Sequence, residues 1–382
     1  MRRTERGGPK QAEFRLWALD RMCLPPHHVR VIGFSRIASG CDIAHWFAPS
    51  AHRLEEDRMC YSAEAWTLYD GYVKRFGADI DIKAFWELYL GREERYRVRN
   101  KLSDGTKIPK GMDLNFLRPQ TDLERSIQDL VATWNGRKLG ESETELEKQQ
   151  ARLAAAEAKL ATKPTKTAAN EQRIATNKIK QMERWIADAK RTSHKPTQDD
   201  RIFPLWYAPV LLVEDGKPIV RPMRYLCRPQ GMDPGTDYTK TGQVSGKYNA
   251  RRDNLQKFWR PQFGHTHALM LAETFYENVD DGQGGSKEIH FQPSTGETMF
   301  IACLYSHWTD PSGKEPDLWS FAAITDEPEP EVAAQGHDRT VINIKPEHAI
   351  AWLTPQGRSD EELFAIFDDK RHPYYELVQE AA

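Results

Sequence analysis

The sequence predicts an α+β protein: a β-rich core, flanking helices and an inserted antiparallel helical hairpin. Three observations predict it. After Arg201, short apolar runs alternate with Pro and Gly punctuation, the texture of successive strands. Upstream, Leu146, Leu153 and Leu160 recur every seven residues among Glu, Gln, Lys and Ala, the spacing of a helix seam. Before that seam lies an aromatic-rich stretch with apolar residues at helical spacing. The chain has 382 residues, 39% hydrophobic and 29% charged, enough for a sizeable core in one or two domains under a wet surface.

Taken in order, residues 1–58 hold no sustained period. Pro25, Pro26, His27 and His28 interrupt them, and they read as a non-native or removed N-terminal extension. Met59 is a candidate initiator, because Leu54-Glu55-Glu56 can be encoded by a purine-rich ribosome-binding stretch; a genuine extension is the alternative. Residues 61–200 read as a mostly helical insertion. Within it, 62–69 open with Ser62 as a candidate N-cap, and 82–90 carry helical apolar spacing. The hairpin spans 141–191: the leucine heptad, a break at Lys163-Pro164-Thr165-Lys166-Thr167, then Ile174, Ile179, Met182 and Ile186. Such a hairpin suits a protein partner or self-association. The core is expected from Met59-Cys60 together with 201–355. Val210-Leu211-Leu212-Val213 leads into the turn Glu214-Asp215-Gly216-Lys217. Further strands are expected at 222–226, 268–272, 299–305, 318–325 and 341–344, with a short helix at 346–353 and a C-terminal tail over 356–382.

Composition excludes several classes. No run of 18 apolar residues exists, so no membrane span is expected, and the basic start lacks the apolar stretch of a secretory signal. Five scattered cysteines without a CxxC argue against a disulfide framework or a structural zinc, and for a reducing cytoplasm. His265, His267, His290 and His307 complete no recognisable ligand spacing, so neither metal nor cofactor is expected. With net charge -2, any nucleic acid must be held by a local basic patch.

Four short patterns follow one another: Met59-Cys60, Asn249-Ala250-Arg251, Phe275-Tyr276-Glu277 and His337-Asp338-Arg339. Each lies beside an apolar strand candidate, in KYNARRDN, HALMLAETFYENV and GHDRTVINIKPEHAIAWL. In this order they resemble the SRAP family, the SOS-response-associated peptidases. The fainter RIFPLWYAPVLL and RPMRYLCRPQG occupy the family's Ala-Pro and Trp-Gly-Leu-Ile-Pro places. The chain departs from the family at Tyr61-Ser62, where Gly-Arg is usual, at Tyr225, where a stacking Trp is common, at Thr340-Val341, which replaces Met-Pro, and in the length of 61–200.

The resemblance implies a DNA-damage protein that crosslinks covalently to abasic sites in single-stranded DNA. Its chemistry needs Cys60 at the amino terminus. A free α-amine condenses with the aldehyde of the opened abasic sugar, and the thiol closes a five-membered thiazolidine; the two groups have reference pKa values of about 8 and about 8.5. An internal cysteine, whose nitrogen is an amide, cannot do this. Glu277 at a strand end suits general acid and base work, His337 suits holding a sugar hydroxyl or phosphate, and Asn249 suits orienting the amine. Arg251 and Arg339 suit phosphate oxygens, and Tyr225 with Arg224 suits a stacked base beside a phosphate. Read singly, Cys60 is a small buried hydrophobe, Glu277 a surface carboxylate, His337 and Asn249 turn residues, and the arginines structural ion pairs. The alternative from the same residues is an N-terminal-nucleophile cysteine autopeptidase with 1–58 as its propeptide; a scaffold without catalysis is the third.

Overall fold

The computed structural model describes residues 62–280, 282, 285–369 and 375–378. Cys60 and Met59 therefore lie outside the described residues, as does the whole expected extension 1–58.

The first element overturns an expectation. Residues 62–69 do not open a helix: Ser62–Ala65 is a strand, β1, with all four residues buried. The helix begins later, at α1 (Asp70–Phe76), and ends on Gly77 at φ 59°. Local pattern was neutral here, and pairing with two distant strands decided the outcome. Next, β2 (Asp79–Ile80) leads into α2 (Ile82–Arg99), whose N-cap Asp81 accepts from the Ala84 amide at 3.0 Å. A short α3 (Lys110–Leu114) precedes the hairpin. Its first helix, α4, runs Asp122–Thr162 and starts well before 141, because Thr121 and Glu124 form a capping box that fixes the true N-terminus. The second, α5, runs Lys166–Lys190 from an N-cap at Thr165. Ser142, Gln149 and Ala156 on α4 and Ala168, Ala175 and Met182 on α5 are buried at seven-residue intervals, so small residues line much of the seam. Helix α6 (Pro196–Asp199) closes the excursion.

The remaining elements build the sheet: β3 (Arg201–Ile202), β4 (Tyr207–Glu214), β5 (Lys217–Tyr225), β6 (Asn249–Arg251), β7 (His267–Asp280), β8 (Ser286–Pro293), β9 (Met299–Trp308), β10 (Leu318–Asp326), α7 (Pro330–Ala333), β11 (Thr340–Val341), α8 (Ala349–Leu353), α9 (Asp360–Asp368) and β12 (Tyr375–Val378). The β4–β5 hairpin turns on Asp215 and Gly216, both at positive φ (50° and 76°), the two-residue turn whose twist matches its strands. Strands β4, β5, β10, β9 and β7 pair in a closed circuit, because β9 bridges β10 and β7 while β4 also meets β7 at Leu211 and Leu269. Both faces of these strands are covered. One carries Val210, Met270, Ile301 and Phe321; the other carries Leu211, Leu269, Phe300 and Ile324 against α8 and α9. This is why the strands read as continuous apolar runs rather than alternations.

Three boundaries differ from the sequence reading. Strands β1 and β2, within the mostly helical segment 61–200, join the sheet. The expected strand at 341–344 shortens to β11, because Asn343 turns its side-chain oxygen to the Phe300 amide at 2.7 Å. The expected tail belongs to the fold: Leu363, Ile366 and Phe367 of α9 are buried, and β12 pairs with β8. Among the described residues no helix is long and apolar enough to cross a membrane.

Candidate active site

Strand β7 carries Glu277 into a buried position where β8 pairs it at Ile289. The His337 ring comes from the loop after α7, following Gly336 at φ 84°. Both side chains are fully buried, and His337 Nε2 lies 3.0 Å from Glu277 Oε2. The other ring nitrogen, Nδ1, is 2.9 Å from the Arg339 carbonyl oxygen. An accepting oxygen lies near each nitrogen, which suits the doubly protonated imidazolium, while the Arg339 amide also points at Nδ1 from 3.4 Å. Burial opposes that charge, but the Glu277 carboxylate and the Arg339 carbonyl outweigh it and raise the His337 pKa above its ordinary value.

Asn249 is buried on β6, where β10 pairs it at Ala323. The Tyr225 hydroxyl donates to its Oδ1 at 3.3 Å. Tyr225 itself is only 3% exposed, stacked on Phe321 at 5.2 Å and edge-on to Tyr248. Its ring is core, so its link to the site runs through the hydroxyl rather than through an open stacking face. Arg224 is 2.9 Å from Asp237, a buried carboxylate that Arg228 and Lys247 also surround. Burial raises the Asp237 pKa, but these cations outweigh it and hold the carboxyl below its usual range. Arg251 and Arg339 are brought together. Residue 251 pairs with Thr325 on one side of β10 and Val341 pairs with it on the other, and both arginines line one small recess with Asp253 and Asp338. Arg251 is exposed and 3.0 Å from Asp253; Arg339 is buried and 3.5 Å from Asp338.

One group of residues escaped sequence reasoning. Ser62 pairs with Tyr276, the neighbour of Glu277. On that face Glu64 is buried and accepts from the Tyr276 hydroxyl and from Thr274. Arg201 lies over the Tyr276 ring at 3.7 Å and donates to Ser62 Oγ from Nε at 3.2 Å and Nη2 at 3.0 Å, with Glu288 as its counter-ion. A guanidinium from β3 thus reaches Ser62, where the resemblance expects an arginine in the chain itself. No local signal marks this, since the partners are joined only by strand pairing. Among the described residues no cluster of three His, Cys, Asp or Glu could hold a metal. His267 is a core residue stacked on Trp352 at 3.7 Å.

Residues 162–379, more than half of the chain, match the SOS response associated peptidase (SRAP) family. The chain belongs to the SRAP family. It carries the fold of an SOS-associated peptidase. Similar solved structures include a protein from Bordetella bronchiseptica at 16% identity, covering 47% of this chain and 88% of that one with TM-score 0.38. A Bacteroides thetaiotaomicron protein matches at 14% identity, 47% and 78% coverage and TM-score 0.38. A phage-related protein from Bordetella bronchiseptica matches at 15% identity, 50% and 86% coverage and TM-score 0.36. No curated protein matches this SRAP chain.

Proposed function

We propose that this SRAP chain crosslinks covalently to abasic sites in single-stranded DNA through Cys60 as its amino-terminal residue. The observation that carries the reading is the buried Glu277–His337 couple beside the start of β1. Cys60 precedes Ser62 by two residues, so backbone geometry limits their Cα separation to about 7 Å. Ser62 in turn is paired next to Glu277.

In the proposed reaction the Glu277 carboxylate takes the proton of the anomeric hydroxyl and delivers it to the sugar ring oxygen as the ring C–O bond breaks and the abasic site opens to its aldehyde. The Cys60 amine adds to the aldehyde carbon, water leaves, and an imine forms. The Cys60 thiolate then adds to the imine carbon; the imine nitrogen takes a proton and the thiazolidine closes. No oxidant or reductant is needed. His337, held as imidazolium against Glu277, places positive charge where a hydroxyl or phosphate oxygen would lie. Asn249 orients the amine, and Arg251 and Arg339 meet phosphates. Arg224 lies one residue from Tyr225, near the Asn249 side of the site.

The second reading, a cysteine autopeptidase, draws on the family's description as peptidases. In it Cys60 attacks the Met59–Cys60 bond and residues 1–59 depart. Both readings need a free Cys60 amine in the mature chain, and they separate on substrate. Intact mass after expression from Met1 shows whether the chain begins at Cys60. Incubation with an abasic single-stranded oligonucleotide should give a heat-stable adduct that Cys60→Ala abolishes and Glu277→Ala slows. Crosslinking by a chain that retains residues 1–59 refutes the thiazolidine mechanism. Peptide hydrolysis without any DNA adduct favours the peptidase.

A further inference from the structure

The α4–α5 seam changes character along its length. Far from the core it is closed by Ala156, Ala168 and Ala175, all buried. Toward the core the same face of α5 opens onto a cavity of about 1250 Å³, walled also by α2, α3 and α4. Residues 178, 181, 182, 185, 188 and 189 line it, the spacing of one helix face. Trp185 on that face is 54% exposed, whereas Met182 one turn earlier is buried. A tryptophan left open at a concave wall is an apolar surface suited to a planar ring.

The charges around the cavity do not balance. Lys110 is 3.9 Å from Asp188, and Glu145 is 3.4 Å from Lys148. Lys138 on α4 and Lys178 and Arg184 on α5 line the cavity without an ion-pair partner within 4 Å among the described residues; with Arg92 and Lys110 they set five cations against the four acids Asp113, Glu141, Glu145 and Asp188. Surrounding protein lowers the Lys138 pKa, against the pull of Asp113. At the cavity wall Arg92 is almost wholly buried, its guanidinium 4.9 Å from the Tyr89 ring centre and 4.8 Å from that of Trp134. Its nearest carboxylate, Asp113, is a loose 3.8 Å away, and Arg92 Nη2 has no hydrogen-bond partner among the described residues. A buried N–H left unmade costs about 1–3 kcal/mol, which an acceptor oxygen in the cavity would recover.

We propose that this cavity binds a phosphate-bearing ligand with a planar ring, of the nucleotide class. Lys138, Lys178 and Arg184 meet the phosphates, Trp185 stacks the ring, and Arg92 donates to an acceptor at the wall. A bare anion would need neither the volume nor the tryptophan. The inference is independent of the crosslinking reading, because none of these residues belongs to the Glu277 site.

Calorimetric titration of the full chain with ATP, and separately with inorganic triphosphate, tests it. ATP should bind one to one. Lys138→Gln/Lys178→Gln should weaken both probes at least tenfold, and Trp185→Ala should weaken ATP several-fold while leaving triphosphate within twofold. Failure of ATP to bind at millimolar concentration overturns the proposal, as does ATP affinity unchanged in the double lysine variant. Equal loss of both probes in Trp185→Ala overturns the stacking role. Circular dichroism reports whether the hairpin helices persist; the substituted lysines and Trp185 are exposed, so they should. Crosslinking by the lysine variant should match the parent chain.

Discussion

Replacing Glu277 by Gln removes one charge from a couple whose two side chains are both fully buried. Truncating one partner of such a pair costs about 3–5 kcal/mol, and solvent screening does not reduce it here. Gln keeps an acceptor oxygen, so the expected loss lies near the lower bound, about 3 kcal/mol at pH 5.5. At pH 8.5 the outcome differs. His337 Nδ1 still donates to the Arg339 carbonyl, its Nε2 becomes an acceptor, and the Gln amide can donate to it. The cost should then be smaller than at pH 5.5. The sign follows from linkage. The raised folded pKa of His337 gives stability that is fully present below its unfolded value, about 6.5, and is lost as pH rises through the folded value. Urea unfolding of parent and Glu277→Gln at the two pH values measures this. Equal losses at both, or a larger loss at pH 8.5, would refute the assignment of His337 as an imidazolium held by Glu277.

Gly111 has no room for a side chain: a Cβ there would collide with Thr67 Oγ1 and Asp200 Oδ1, which bond each other. Gly111→Ala should therefore cost about 3 kcal/mol or more and lower the thermal midpoint, while Gly91→Ala on α2, which meets nothing, should not destabilise. His267 is held neutral, with Nδ1 donating to the Trp352 carbonyl and Nε2 accepting from the Gly264 amide, and burial pushes its pKa down to about 3. A histidine so depressed gives stability present above about 6.5 and lost as pH falls; the chain should lose about 2–3 kcal/mol between pH 6 and pH 4, and His267→Gln should flatten that slope in acid titration. Asp237→Asn leaves Arg224, Arg228 and Lys247 around one site without their shared carboxylate, so denaturant unfolding should register a loss of about 3 kcal/mol that added salt partly restores.

What was legible in the sequence were features with a local cause. Asp215-Gly216 between apolar runs marked the β4–β5 turn, because φ above zero at two successive residues selects that pair. The leucine heptad marked the hairpin, although the capping box at Thr121 was the better guide to where it starts. Glu277 and His337 were each nameable from their motifs, but their 3.0 Å contact was not, because it depends on how β7 and the loop after α7 meet. Features with a distant cause were misread. Residues 62–69 open with Ser62 as a candidate N-cap, yet β3 and β7 claim their first half as a strand. Tyr225 beside Arg224 has the look of a stacking platform, and only packing against Phe321 and Tyr248 reveals it as core.

The register of β1 also explains how so long an excursion fits beside the site. Ala63 pairs with Ile202 and Glu64 with Arg201, and the Ala65 amide donates to the Asp200 carbonyl at 3.1 Å. The chain therefore leaves β1 at residue 66 and returns by residue 200 at adjacent points on one edge, meeting the sheet in between through β2. Closing a longer loop costs little more than closing a shorter one, about 0.6 kcal/mol for each doubling of length. A hairpin added between such clasped ends need not shift β1 against β7. It is clasped by more than backbone: Thr67 bonds Asp200 across the exit, and His194 Nε2 is 2.8 Å from the same carboxylate. The helices thus stand on a closed base, with their own seam, their own cavity and their own charges. The helical segment meets the sheet through this base and also through β2, which pairs with β5, and through Asp81, which holds Arg221 at 2.6 Å. Ser62 and Glu64 flank the base on one side and contact Arg201 and Tyr276 on the other, so β1 joins the clasped ends directly to the strand that carries Glu277.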